Sequence, residues 1–286
     1  MADLSYLDAV ILGIVEGLTE YLPISSTGHL TIAEKLLGLE VDDPAVTAYT
    51  AFIQIGAIAA TLIYFFKDFV RFALAWFRGL RDTEARRDPD YRLAWAVIIG
   101  SIPVGVVGFF ARDIISGPLR SLWVVAAALA LWSIVIVVAE RMHTTYERQG
   151  RLRGEHSVRP VDGLIIGLVQ CFSLIPGVSR SGATISAGLA RGIDRVTATR
   201  LSFFLAIPAL TAAGIFQAVE EKDGLSALGV GPVIVGLLVA FVVAYATIAW
   251  LLRFVANHSL LPFVWYRVIL GVLLAGALGA GLLSAT

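Results

Sequence analysis

A polar break of one design occurs twice in this otherwise apolar chain, and it limits the possible folds more than any other feature. The first is Leu22-Pro23-Ile24-Ser25-Ser26-Thr27-Gly28-His29 and the second Pro176-Gly177-Val178-Ser179-Arg180-Ser181-Gly182-Ala183-Thr184. They lie 154 residues apart, and at that offset Gly13 pairs with Gly167, Val15 with Val169, Ser25 with Ser179, Thr27 with Ser181 and Gly28 with Gly182. The chain reads as a duplication. Its copies differ where chemistry would sit: Glu16, Glu20 and His29 in the first become Gln170, Leu174 and Ala183 in the second, while Arg180 stands opposite Ser26.

Proline removes a backbone donor and stops a helix. Each break therefore splits an apolar stretch, 4–39 or 161–191, into two helices too short for a bilayer, which needs about 20 residues per crossing. Irregular backbone survives at membrane depth only where protein or a water-filled cavity satisfies its polar groups. Both stretches are read as re-entrant hairpins. Membrane depth itself follows from composition: 58% of the 286 residues are hydrophobic, 15% are charged, and mean hydropathy is +0.82, outside the range of soluble domains. Apolar runs of spanning length fall near 48–66, 93–111, 121–139, 201–219, 230–252 and 261–283, the last interrupted by Arg267.

The expected fold is thus an all-α polytopic membrane protein with six transmembrane helices and two re-entrant helical hairpins. It forms one membrane domain, 1–286, with repeats at approximately 1–140 and 160–286 joined by a cytoplasmic loop. Three spans per repeat is an odd number, so the second copy is inserted upside down, an inverted-topology repeat. The two breaks can then meet near mid-bilayer from opposite faces.

Net charge is zero, so its distribution carries the information. Seven Lys or Arg lie in 67–92, five more in 141–159, and Arg191, Arg195 and Arg200 follow the second hairpin; Lys35, Arg112, Arg120 and Lys222 fall on the other side. The positive-inside rule puts the first set in the cytoplasm and opens the first hairpin to the exterior. The basic loops also carry acids, which suits a solvated or headgroup-facing surface and not nucleic acid. The lone cysteine, Cys171, excludes an internal disulfide and reads as packing.

Glu16 and Glu20 are one helical turn apart on one face, and two carboxylates facing lipid would be very costly. They must meet a cavity or a cation, and hard oxygen ligands suit Mg²⁺ or Ca²⁺. Ser25, Ser26 and Thr27 precede a helix whose first amides are unpaired, which caps the helix and can also bind an oxyanion. His29 adds an imidazole close by. In the second break Ser179, Ser181 and Thr184 repeat the hydroxyls, and the Arg180 fork fits phosphate oxygens or pairs with Glu16 or Glu20. Gln54 and Arg267 are weaker candidates within spans; Arg267 would hold carbonyls or an acid such as Glu140. Pro103 and Pro208 read as helix kinks.

The run Glu16-Gly17-Leu18-Thr19-Glu20 with both breaks closely resembles the undecaprenyl-diphosphatase family, also called the bacitracin-resistance protein, and the likeness extends over the whole chain. The resemblance implies removal of the terminal phosphate from undecaprenyl diphosphate, a lipid carrier of peptidoglycan synthesis. It also implies a divalent cation and an inner-membrane location with the site open to the periplasm. Expected site residues are Glu20, Ser26, His29 and Arg180 for catalysis, Ser25, Thr27, Ser179, Ser181 and Thr184 for binding, and Glu16 with Glu20 for the metal. Ser26 activated by His29 or Glu20, His29 itself, and an activated water all remain open as nucleophile. The partners are the lipid substrate and membrane lipid, with no nucleic acid; a homo-oligomer is allowed and not required. A polyprenyl-phosphate transporter or flippase is the other function that broken helices in an inverted repeat permit.

Overall fold

The computed structural model describes residues 4–40, 43–117, 119, 121–220 and 229–285. Arg120 and Lys222, used above in the charge distribution, lie outside them. Every strand-free element described is helical: α1 Tyr6–Thr19, α2 Ser26–Leu36, α3 Pro44–Tyr64, α4 Phe66–Arg81, α5 Pro89–Phe110, α6 Arg112–Ser116, α7 Leu122–Arg148, α8 Pro160–Gln170, α9 Arg180–Ala190, α10 Arg195–Glu220, α11 Val230–Asn257 and α12 Leu261–Gly279.

Among the described residues, α3, α5, α7, α11 and α12 are long and apolar enough to cross a membrane. The remaining expected stretch, 201–219, lies inside the 26-residue α10. Pro103 and Pro208 sit within α5 and α10, which continue through them. Large apolar side chains such as Leu131, Ile134, Leu238, Val242, Val272 and Leu273 point outward. In water that surface would be a liability; against lipid it is the expected exterior.

Local rules explain the ends of the broken helices. A capping box at Ser5 and Asp8 starts α1, which stops at Thr19 ahead of Pro23. Pro160 at the first position starts α8, which gives way to a 3₁₀ turn at Cys171–Leu174 ahead of Pro176. α2 and α9 restart on Ser25 and Ser179, whose hydroxyls accept from the amides of Gly28 and Gly182.

Each hairpin lies against a long helix of the other half: α1 packs on α11, and α8 packs on α5. The approach is close enough to require glycine. A Cβ on Gly13 would come within 2.7 Å of the Gly236 carbonyl oxygen, and one on Gly167 would collide with the Gly100 carbonyl. α3 packs on α11 and α10, α5 on α10, α7 on α12, and α7 on α9. Tyr21, Phe65, Phe203, Phe204 and Leu205 anchor the largest core cluster beneath the first break.

The segment 67–92, expected as a basic loop, contains a full amphipathic helix. On α4 the side chains of Phe66, Val70, Leu74 and Phe77 are exposed together at helical spacing. Its other side joins an ionic cluster in which Arg71 meets Asp68, Asp90 and Glu155, and Arg200 meets Asp68 and Glu155. This is the pattern of an amphipathic helix suited to a membrane surface. The expected loop at 141–160 is likewise shortened, because α7 continues to Arg148.

Candidate functional site

Ser25 and Ser179 are the only non-glycine residues with positive φ among those described, at 77° and 76°. That backbone is disfavoured for any side chain with a Cβ. It is held because each hydroxyl is used. Ser25 Oγ accepts from the Gly177 amide at 3.1 Å, a bond from the first break to the second. Ser179 Oγ accepts from the Gly182 amide at 3.1 Å and donates to the Leu22 carbonyl at 3.5 Å, while Ser181 Oγ donates to the same carbonyl at 2.9 Å. The two breaks are thus laced together through reciprocal serines.

Arg267, fully buried on α12, closes the junction. Its guanidinium donates to the Pro23 carbonyl at 3.1 Å, the Gly177 carbonyl at 2.9 Å, the Ala128 carbonyl at 3.3 Å and Ser133 Oγ at 3.2 Å. Of the two roles open to it in the sequence, it holds carbonyls. Glu140 pairs instead with Arg195 at 2.8 Å and accepts from the Leu260 amide.

At this junction Glu20 meets Arg180, 160 residues away. Glu20 Oε1 accepts from Arg180 Nη2 at 3.1 Å and Nε at 3.3 Å, and the remaining Nη1 donates to the Ser202 carbonyl at 2.9 Å. The other carboxylate oxygen, Oε2, accepts from Ser26 Oγ at 2.6 Å, the length of a charge-assisted hydroxyl–carboxylate bond. Thr184 Oγ1 donates to Ser202 Oγ at 2.7 Å behind the guanidinium. A carboxylate, a hydroxyl and a guanidinium therefore form one continuous chain.

His29 does not join that chain. Its Nδ1 lies 2.7 Å from the Ser25 carbonyl and its Nε2 lies 2.6 Å from the Tyr266 hydroxyl. A carbonyl only accepts, so Nδ1 carries the proton, and in the neutral ring Nε2 receives the tyrosine O–H. The base in contact with Ser26 is Glu20.

Glu16 is 1% exposed, and neither of its carboxylate oxygens has a hydrogen-bond partner. It faces a cavity of about 210 Å³ that also meets Ser26, Thr27, Glu34, Thr50 and Gln54. Glu20 does not line that cavity, so the two glutamates, stacked in sequence, look into different surroundings. No group of three or more His, Cys, Asp or Glu side chains able to hold a metal occurs among the described residues. A cation here would need hydroxyl, amide and water oxygens to complete its shell.

Three contributors escape a reading of the sequence. Tyr266 was hidden as one aromatic in an apolar span, though it precedes Arg267. Ser202 meets Arg180 through its carbonyl, which no side-chain pattern can signal. Glu34 carries a signal in hindsight: it is a 5%-exposed acid within the first hairpin.

Fold and site together define a polytopic helical membrane protein in which two broken helix pairs bury an acid–hydroxyl–guanidinium centre between them. Within that class the particular family is clear. The chain belongs to the bacitracin resistance protein BacA family, which it matches over residues 9–273. It is 55% identical to an undecaprenyl-diphosphatase of Acidothermus cellulolyticus over 97% of this chain and 98% of that protein. It is 50% identical to the undecaprenyl-diphosphatase of Cutibacterium acnes over 99% of this chain and all of that protein. An undecaprenyl-diphosphatase of a Mycobacterium species is 46% identical over 99% of this chain and all of that protein.

Proposed function

We propose that this protein hydrolyses undecaprenyl diphosphate to undecaprenyl phosphate and inorganic phosphate, recycling the lipid carrier of peptidoglycan synthesis and so conferring bacitracin resistance. The observation that carries the reading is the 2.6 Å bond from Ser26 Oγ to Glu20 Oε2, with Arg180 on the other oxygen of the same carboxylate. Full-length similarity to proteins named for this reaction supports it.

Ser26 is the nucleophile. Its Oγ attacks the terminal phosphorus as its proton passes to Glu20, and the bond from that phosphorus to the bridging oxygen breaks, releasing the lipid monophosphate. Water then attacks the phosphoserine, returning the Ser26 hydroxyl and freeing inorganic phosphate. Arg180 binds the phosphoryl oxygens as they displace Glu20 from its fork, aided by the hydroxyls of Ser25, Thr27, Ser179, Ser181 and Thr184. Electrostatic stabilisation of this kind carries most of phosphoryl transfer. His29, its Nδ1 proton on the Ser25 carbonyl, is the second acid–base group of the site. A lipid-phosphate carrier would need the cation fork alone; a serine hydrogen-bonded to a buried carboxylate is equipment for reaction.

The donor set fits a divalent cation, Mg²⁺ or Ca²⁺, on one observation: the buried Glu16 carboxylate has no partner and faces a polar cavity that reaches Ser26. Glu16 would hold the ion from the cavity side, one helical turn from Glu20, and the ion would supply positive charge to the diphosphate.

In the membrane the chain adopts six spans and two re-entrant hairpins in an inverted repeat, with the site facing the periplasm of the inner membrane. The bounds of α2 and α9 differ by the repeat offset, and the pairing of α1 with α11 is mirrored by that of α8 with α5. Phosphate release from undecaprenyl diphosphate by purified protein, with and without EDTA, tests the function. Ser26→Ala and Glu20→Gln should each lose at least about a hundredfold in rate. Undiminished release from folded Ser26→Ala would remove the serine mechanism, and no release from folded wild type under any cation would remove the activity.

A further inference from the structure

The duplication provides an internal control for the cavity beside Ser26. α2 and α9 are the same helix in two copies, and α3 falls at the repeat offset on 198–218, inside α10. At the repeat offset the cavity residues Thr31, Glu34, Thr47, Thr50 and Gln54 correspond to Ile185, Gly188, Leu201, Phe204 and Pro208. Ile185, Leu201 and Phe204 are buried core side chains. The helix pair therefore folds with an apolar filling at these positions. The polar lining of the first copy is not a requirement of the architecture.

That lining surrounds one conspicuous defect. Glu16 is buried with both carboxylate oxygens unsatisfied, a state worth several kcal/mol of penalty for an ionised group unless something positive completes it. Arg180 does not hydrogen-bond it, since its guanidinium donates to Glu20 and the Ser202 carbonyl. Glu20 in turn is engaged by Arg180 and Ser26. The cavity that Glu16 lines is also lined by Glu34, Gln54, Thr47 and Thr50. The space, about 210 Å³, corresponds to roughly seven water molecules at their share of liquid volume, ~30 Å³ each. That suits a hard cation keeping part of its hydration and held by one or two carboxylates.

We infer that the divalent cation is bound by Glu16 and Glu34 with the Gln54 amide oxygen, and that Glu20 is reserved for Ser26 and Arg180. The inference rests on the cation dependence proposed above and moves the ligand set off the Glu16–Glu20 pair. It assigns the whole site to the first copy, where the second offers Gln170, Gly188 and Pro208.

Mn²⁺ binding to the purified protein in detergent, followed by its electron paramagnetic resonance signal, tests this without turnover. Wild type should bind Mn²⁺, Glu16→Gln and Glu34→Gln should each weaken it by at least about tenfold, and Glu20→Gln should leave it within about threefold. Gln54→Glu in the Glu34→Gln background should restore binding by returning a carboxylate, which a variant that merely unfolds cannot do. Wild-type affinity in Glu34→Gln, with loss in Glu16→Gln and Glu20→Gln, would overturn the ligand set and leave the cation requirement standing. No Mn²⁺ binding by wild type, with EDTA-insensitive phosphate release, would overturn both.

Discussion

Replacing Arg267 with methionine should separate the register of the two breaks from the stability of the bundle. The side chain is fully buried and makes four hydrogen bonds, two of them to Pro23 and Gly177, the carbonyls on either side of the junction. Hydrogen bonds between helices in membranes average ~0.6 kcal/mol, which puts four at about 2 kcal/mol. Bonds from charged donors run at ~1.5–3 kcal/mol each, but methionine also relieves the desolvation of a guanidinium, so about 6 kcal/mol is a working upper bound. At roughly 2–4 °C per kcal/mol the unfolding midpoint in detergent should fall by about 4 °C or more. The control is Leu278→Ala, buried near the end of α12 in the cluster with Leu122 and Leu274, about 16 Å along the helix from Arg267, where truncation costs ~2–5 kcal/mol by cavity formation. Phosphate release measured well below both midpoints should drop strongly in Arg267→Met and stay near wild type in Leu278→Ala. Equal activity in the two variants, or a midpoint for Arg267→Met within about 1 °C of wild type, would refute the claim that this arginine sets the register of the site.

Two further outcomes follow from the backbone and from the ion cluster around Asp162. Ser25→Ala and Ser25→Gly both lose the acceptor for the Gly177 amide, but only glycine accepts φ of 77° freely, so the glycine variant should be the more stable by about 1 kcal/mol; an alanine variant of equal or greater thermal stability would show the backbone to be unstrained. Burial pushes the Asp162 carboxyl upward, but bonds from Arg153, the Arg159 amide and Arg191 outweigh it and hold the group below its ordinary value. A depressed carboxylate contributes stability that is complete above its unfolded pKa, ~3.9, and is lost as pH falls through the lower folded value. Thermal midpoints taken from pH 6 down to pH 3 should therefore fall less steeply for Asp162→Asn than for wild type, and parallel curves would count against the ion cluster.

Much of the architecture is legible because lipid leaves the chain few choices. Uncharged runs of spanning length, and two that are broken at Pro23 and Pro176, locate the helices with little ambiguity. Helix α4 is not legible in the same way. Its basic residues make the segment look like a loop, and its apolar face at Phe66, Val70, Leu74 and Phe77 is too narrow to raise mean hydropathy. In the site, Arg180 and the glutamates are expected together on cost alone, since a charge in lipid must be answered. Which glutamate answers is not: helical spacing puts Glu16 and Glu20 on one face, and Glu20 keeps helical backbone with its amide on the Glu16 carbonyl, but it is Glu20, one turn nearer the break, whose carboxylate Arg180 and Ser26 hold, while Glu16 lines the cavity. His29 is close in sequence to Ser26 yet engages the Ser25 carbonyl and Tyr266, because the positive φ at Ser25 redirects the start of α2, and no side-chain pattern encodes that turn.

The same duplication that builds the junction explains why its chemistry can be asymmetric. Reciprocal features, such as Ser25 against Ser179 and Gly13 against Gly167, are retained in both copies, and each serves backbone geometry or close packing. Features that differ, such as Glu20 against Leu174 and Ser26 against Arg180, are those that meet at the junction itself. Two identical breaks would bring acid to acid or cation to cation at the junction, and like charges in low dielectric repel strongly. Divergence gives one half the carboxylates and the other the guanidinium, so that burial of each charge is compensated by its counterpart. An ion pair that joins the halves in the resting protein is also, once a phosphate competes for Arg180, a carboxylate released beside a serine hydroxyl.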